Sequence, residues 1–266
     1  MATFFDTHAH LDYPDYAPDL GEVIARAQAA GISKIISIGT SLESSGRAVR
    51  LAEQFPNVFA AVGWHPTETS TGPDDLRPAL RELAKHPKVV AIGETGLDYH
   101  RPPEGTPAIT AYKQKQARIF EQQLEIAVEF GLNCIIHQRD AFDDTLAQLK
   151  PYSGKLRGVF HCFGENVERM KRVLEIGSLV SFTGIVTFKN GQNVRDTVAA
   201  TPPDKFMLET DCPYLAPVPW RGKRCEPAYV KEISETVAQV RKCSLEELSA
   251  ATCKTAQEFF HKLQPS

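Results

Sequence analysis

Eight short, mostly apolar runs punctuate the chain, at Thr3–Thr7, Lys34–Gly39, Val58–Gly63, Val89–Glu94, Asn133–His137, Arg157–His161, Leu179–Thr183 and Phe206–Thr210. Their starts lie on average about 29 residues apart, which suits βα units in which a buried parallel strand alternates with a covering helix. The segments between them read as helices. Leu20–Ala30 has apolar residues at helical spacing and stops at Gly31, Tyr112–Phe130 stops at Gly131, and Val167–Ile176 stops at Gly177. Glycine just past the last periodic residue is a helix stop signal. Two more helices, near Pro227–Val240 and Ser244–Lys262, follow the last strand, and Ser244 with Glu247 has the form of a capping box. The pattern predicts an α/β fold, a (β/α)8 TIM barrel in which residues 1–266 form a single domain. A doubly wound open sheet is the alternative. The Gly-x-Gly-x-x-Gly and Gly-x-x-x-x-Gly-Lys-Ser/Thr fingerprints of nucleotide-binding open sheets are missing. The Arg101–Pro107 stretch, with its prolines and glycine, reads as a loop insertion after the fourth strand.

Composition narrows the class. A length of 266 residues fits one barrel, and 42% apolar residues can fill its core. The net charge of -3 excludes the strongly basic face of a dedicated nucleic-acid scaffold, but not an enzyme that holds phosphates with metals and a few cations. Six cysteines, at 134, 162, 212, 225, 243 and 253, form no Cys-x-x-Cys pair and read as scattered reduced thiols. Met1–His10 lacks the basic and apolar regions of a signal peptide, and no run approaches a membrane span. The expectation is a cytoplasmic enzyme with no membrane association and no obligate protein partner.

The polar residues that interrupt this pattern carry the chemistry. His8, His10, His65, His137 and His161 fall at or just beyond the ends of predicted strands, and Glu94 and Asp211 take the same position on two others. Barrel active sites are built on that rim. His8 and His10 form a His-x-His pair whose rings point to the same side of a strand, which suits a divalent ion, two solvated histidines at a strand end being the alternative. Glu94 could bridge two metals through its two oxygens, or be satisfied by amides of the glycine-containing turn after it. His137 and His161, on adjacent strands, form a second cluster with Glu94. Asp211 could bind metal and take a proton from water, or cap the following turn. No Gly-x-Ser-x-Gly elbow is present. Cys162 and Cys212 alternate away from their neighbouring ligands and are expected to face the barrel wall.

At these residues the chain resembles the TatD-related metal-dependent deoxyribonucleases, within the wider amidohydrolase-like barrels. The matching segments are Asp6–Asp12, Gly63–Pro66, Gly93–Tyr99, Ile136–Ala141, His161–Phe163 and Glu209–Leu215, with Arg221-Gly222-Lys223 following. The resemblance runs over essentially the whole chain. It implies two metal positions, one using His8, His10, Glu94 and Asp211, the other Glu94, His137 and His161, with His65 at the pocket that meets substrate. Gln138 departs from the family's small polar residue, and Arg101–Ile109 looks longer than usual.

The expected chemistry is metal-assisted hydrolysis of a phosphodiester at a nucleic-acid end, an exonuclease acting on DNA or a related substrate. The cofactors would be two divalent metal ions, zinc, magnesium or manganese. Asp211 and Glu94 would be the catalytic carboxylates, with Asp211 accepting the proton of the attacking water. His65, Arg139, Arg221 and Lys223 would hold phosphate oxygens, with a solvated basic loop the alternative for Arg221, Lys223 and Arg224. Two readings compete: the same metals hydrolysing a small-metabolite ester, lactone or amide, and a non-enzymatic binding protein that has kept the fold.

Overall fold

The computed structural model describes residues 2–100 and 109–263. Eight strands, β1 (Phe4–Ala9), β2 (Ile32–Ile38), β3 (Val58–Val62), β4 (Val89–Asp98), β5 (Asn133–Arg139), β6 (Gly158–Phe160), β7 (Leu179–Phe182) and β8 (Phe206–Leu208), pair in sequence order. Every neighbouring pair is parallel. The chain after β8 returns to β1: Asp211 N–H donates to the His8 carbonyl at 2.9 Å, and His10 N–H to the Cys212 carbonyl at 2.9 Å. The eight strands therefore form a nearly closed barrel, and the open-sheet alternative is set aside.

Helices follow the strands in turn. They are α1 (Leu20–Ala29), α2 (Leu42–Gln54), α3 (Arg77–Ala84), α4 (Ile109–Phe130), α5 (Phe142–Leu149), α6 (Val167–Glu175), α7 (Gln192–Ala200) and α8 (Val230–Arg241), with α9 (Leu245–Phe259) after them. The expected capping box opens α9: Ser244 Oγ accepts from Glu247 N–H at 3.2 Å, and Glu247 Oε2 accepts from Ser244 N–H at 2.9 Å. The loop expected at Arg101–Pro107 lies outside the described residues. No helix among them is long and apolar enough to cross a membrane, and all six cysteines are free.

One apolar cluster takes residues from all eight strands, including Phe5, Ile36, Ala61, Val90, Ile135 and Met207, and packs them against Phe259, Phe260 and Leu263. Side chains from every strand of a closed barrel can meet only in its interior. The chain end plugs the N-terminal mouth, where Asn133 Nδ2 donates to the Phe259 carbonyl at 2.7 Å and Lys34 Nζ to the Leu263 carbonyl. With that end filled, only the C-terminal mouth is open.

β4 and β1 run further than the sequence pattern predicts. The glycine-containing stretch after Glu94 looks like a turn, yet it stays in register with β5, Thr95 opposite Ile136 through Asp98 opposite Arg139. A Cβ on Gly96 would stand 2.0 Å from the His137 carbonyl oxygen, so glycine here permits the close approach of β4 to β5 rather than a break. Glu94, His8 and His137 consequently lie within strands, not at their ends. At Glu94 and His8 the pairing register shifts, between Ile92 and Thr95 and between Asp6 and Ala9, and the strands continue past these polar residues.

Candidate metal centre

His8 on β1 and His10 just after it, Glu94 on β4, His137 on β5, His161 after β6 and Asp211 after β8 converge at the open mouth. Glu94 is 3% exposed and stands at the centre. Its Oε2 is 3.5 Å from His8 Nε2 and 3.6 Å from His10 Nε2. Its Oε1 is 2.7 Å from His161 Nε2, 2.8 Å from His137 Nδ1 and 3.3 Å from His65 Nε2. Asp211 Oδ1 completes the first group at 3.6 Å from His8 Nε2 and 3.4 Å from His10 Nε2. The two oxygens of one carboxylate thus face two different sets of imidazoles.

These residues fit a divalent ion. Ligands about 2.1 Å from a tetrahedral zinc lie about 3.4 Å from one another, the spacing of the first group and too long for hydrogen bonds. His8 is fully buried, and neither of its ring nitrogens has a hydrogen-bond partner. Such orphaned groups cost about 1–3 kcal/mol each, a penalty that coordination through Nε2 relieves. Burial and the nearby His161 hold His8 below its ordinary pKa, so it is the neutral imidazole that metals bind. Burial opposes the charge on Glu94 and Asp211, but the surrounding imidazoles outweigh it and keep both carboxyls below their usual range. Three groups of His, Glu and Asp side chains are close enough to hold an ion: His8, His10 and Asp211; His8, Glu94 and His161; His65, Glu94 and His137.

Carboxylates that the sequence reading passed over surround the ligands. Asp98 Oδ2 lies 2.9 Å from His137 Nε2, which leaves Nδ1 for the centre. Glu209, 1% exposed, has Oε1 3.7 Å from His161 Nδ1 and accepts from Cys162 N–H and Ser181 Oγ, both at 2.6 Å. Asp6 accepts from Thr210 N–H at 2.9 Å and Thr210 Oγ1 at 2.6 Å, which ties the first strand to the segment carrying Asp211. Both Asp98 and Glu209 had a legible signal: each stands an even number of residues from a proposed ligand, four and two positions away, in a segment too apolar for a free carboxylate.

The centre forms the floor of a cavity of about 430 Å³ lined by Tyr13, Thr40, Thr67, Glu68, Arg139 and Tyr214 among others. A second lobe of about 470 Å³ shares Arg139, Asp211 and Tyr214 and extends past Gln138 to Cys162, Glu165 and Leu215. His65 and Arg139 therefore stand in the cavity as expected. Arg221 and Lys223 line neither lobe. Arg221 stacks over Phe188 at 3.8 Å and donates to the Ala216 carbonyl at 2.9 Å, and Lys223 lies 5.3 Å from the Trp220 ring. Cys212 is buried as expected, but Cys162, with φ of 48°, turns into the second lobe. Burial pushes its thiol well above the ordinary value, so it is no ready nucleophile.

The model of the TatD related DNase family matches residues 5–261. An uncharacterized metal-dependent hydrolase of Bacillus subtilis, YabD, is 38% identical over 96% of this chain and 98% of its own. The 3'-5' ssDNA/RNA exonuclease TatD of Citrobacter rodentium is 37% identical over 96% of this chain and 97% of its own. Among solved structures, the TatD homolog YJJV of Escherichia coli superposes with a TM-score of 0.89 at 27% identity, covering 97% of this chain and 98% of that one.

Proposed function

This chain belongs to the TatD-related DNase family and is a metal-dependent hydrolase, and from that premise we propose that it removes nucleotides from the end of a single-stranded nucleic acid, using two divalent ions. The observation that supports this reading best is the division of Glu94, with Oε2 toward His8 and His10 and Oε1 toward His137 and His161. A carboxylate so divided could contribute to two divalent-ion positions at once, as two-metal phosphodiester cleavage would need.

His8, His10, Glu94 and Asp211 would hold one ion; Glu94, His137 and His161 the other. When bound, such ions polarise the phosphodiester and acidify water at neutral pH. Asp211 presents Oδ1 to His8 and His10, and its carboxylate accepts the proton of the attacking water. His65 has its Nδ1 anchored 2.7 Å from Thr67 Oγ1 and its Nε2 turned toward the centre, where it steers a phosphate oxygen. Arg139, at the end of β5, offers a charge-assisted contact to the same or the next phosphate.

The test is turnover of end-labelled single-stranded DNA and RNA beside a panel of chromogenic esters and lactones, each with chelator and with zinc, manganese or magnesium restored. Stepwise shortening from one end, abolished by chelator and restored by metal, supports the reading. Metal-dependent turnover of the esters with no shortening of either nucleic acid overturns it.

A further inference from the structure

Tyr214 is 54% exposed, and of the large apolar residues so exposed among the described residues it alone lines the cavity. It stands three positions past Asp211 and borders both lobes. Its ring meets His10 at 68° with centroids 6.5 Å apart, and Tyr13 at 80° with centroids 6.2 Å apart, so neither neighbour lies parallel to it. Tyr13 itself stacks on His10 at 4.8 Å and 24°. The loop is held from both sides: Tyr214 N–H donates to the Asp211 carbonyl at 3.1 Å, and Cys225 N–H to the Pro213 carbonyl at 3.0 Å. An aromatic ring on a tethered backbone is thus offered to solvent at the lip of a polar floor suited to metal, and metal chemistry has no use for it. In the strand order, the β8–β1 seam that carries Tyr13 and Tyr214 lies across the barrel from β5 and Arg139. A nucleotide laid between them would have its phosphate over Glu94 and its base at the tyrosines.

We propose that Tyr214 is a base-stacking platform for the nucleotide at the cleaved end, a specificity-determining residue that makes an unpaired base part of the recognised substrate. The proposal rests on the nuclease reading above. Every nucleobase has a π face, so the platform is sequence-tolerant and serves DNA and RNA alike. The rival role is that of an apolar cover for His10, which any side chain of similar bulk could fill.

The experiment compares kcat/KM for an oligothymidylate with kcat/KM for the same oligomer whose nucleotide at the cleaved end is a base-free tetrahydrofuran. Base–aromatic stacking predicts a preference of the parent for the base-bearing end of about 5- to 150-fold. Tyr214→Phe keeps that preference, while Tyr214→Ala and Tyr214→Leu bring the ratio toward one. A parent ratio near one, or a ratio preserved in the Leu variant, overturns the platform. Failure of the parent to cleave either oligomer overturns the nuclease reading itself, a distinct result.

Discussion

Asp98 offers the sharpest structural prediction, because its effect should reach one half of the centre and spare the other. Its Oδ2 lies 2.9 Å from His137 Nε2, while His100 N–H donates to its Oδ1 at 2.9 Å and its own N–H donates to Gln116 Oε1 at 3.0 Å. Burial disfavours its charge, but the His137 contact and the His100 amide hold its carboxyl below the usual range, so it is an anionic acceptor. That acceptor would hold the His137 proton on Nε2 when an ion is bound and leave Nδ1, which lies 2.8 Å from Glu94 Oε1 and 3.1 Å from His161 Nε2, as the ligating nitrogen. In Asp98→Ala the ring loses both its tautomer and its orientation. Loss of such an orienting carboxylate typically weakens a metal site about 10- to 100-fold, or about 1.4–2.7 kcal/mol. His8, His10 and Asp211 have no contact with Asp98, so the first position should be unchanged. The assay is calorimetric titration of metal-stripped protein with zinc against a competing chelator, alongside thermal unfolding to verify the fold. The expected result is one weakened binding event and one at parental affinity, with Asp98→Asn, which keeps an acceptor oxygen, in between. Two parental affinities in a folded Ala variant would refute the orienting role.

Three further outcomes follow from the same geometry. Glu94→Gln leaves one oxygen where two faced separate clusters, so elemental analysis should find less metal and crystallography lower occupancy at both positions; two fully occupied positions would exclude bridging. Asp211→Asn keeps the shape but cannot take a proton, and kcat of the metal-replete variant should fall about 10²–10⁴-fold; activity within a few-fold of the parent would remove Asp211 as the base. Ser244→Ala removes the capping box of α9 and should cost about 1 kcal/mol, seen as a melting point roughly 2–4 °C lower with activity unaffected; an unchanged melting point would mean that packing of Phe259 and Phe260 alone sets that helix.

The fold was legible because βα spacing survives in a single sequence: every expected strand has its counterpart in the barrel, offset by a few residues at most. The convergence of the six proposed ligands was legible for a related reason, since His and carboxylate residues embedded in apolar strands are costly unless paired or bound. Boundaries failed where polar chemistry sits inside a strand. Glu94 and the glycines after it read as a strand end and a turn, because hydrogen bonding between β4 and β5 leaves no trace in the sequence of either. The carboxylates Asp98 and Glu209 were inside quoted motifs, yet the contact of Asp98 with His137 Nε2 and those of Glu209 with Cys162 N–H and Ser181 Oγ form between strands distant in sequence. Arg221 and Lys223 show how little sequence proximity says about side-chain placement. Cations near a ligand in sequence were assigned to phosphate, whereas the loop after β8 turns them onto Phe188 and Trp220. Tyr214 read as part of a motif, and only its exposure beside Asp211 separates it from core tyrosines such as Tyr16.

The most direct measurement of the central claim is activity against metal equivalents. Metal-stripped protein is titrated with zinc or manganese while shortening of end-labelled single-stranded DNA and bound metal are followed on the same sample. A centre shared through Glu94 predicts no turnover in the stripped protein and a rise that is complete only when two equivalents are bound. Full turnover at one equivalent, or undiminished turnover in excess chelator, would contradict it.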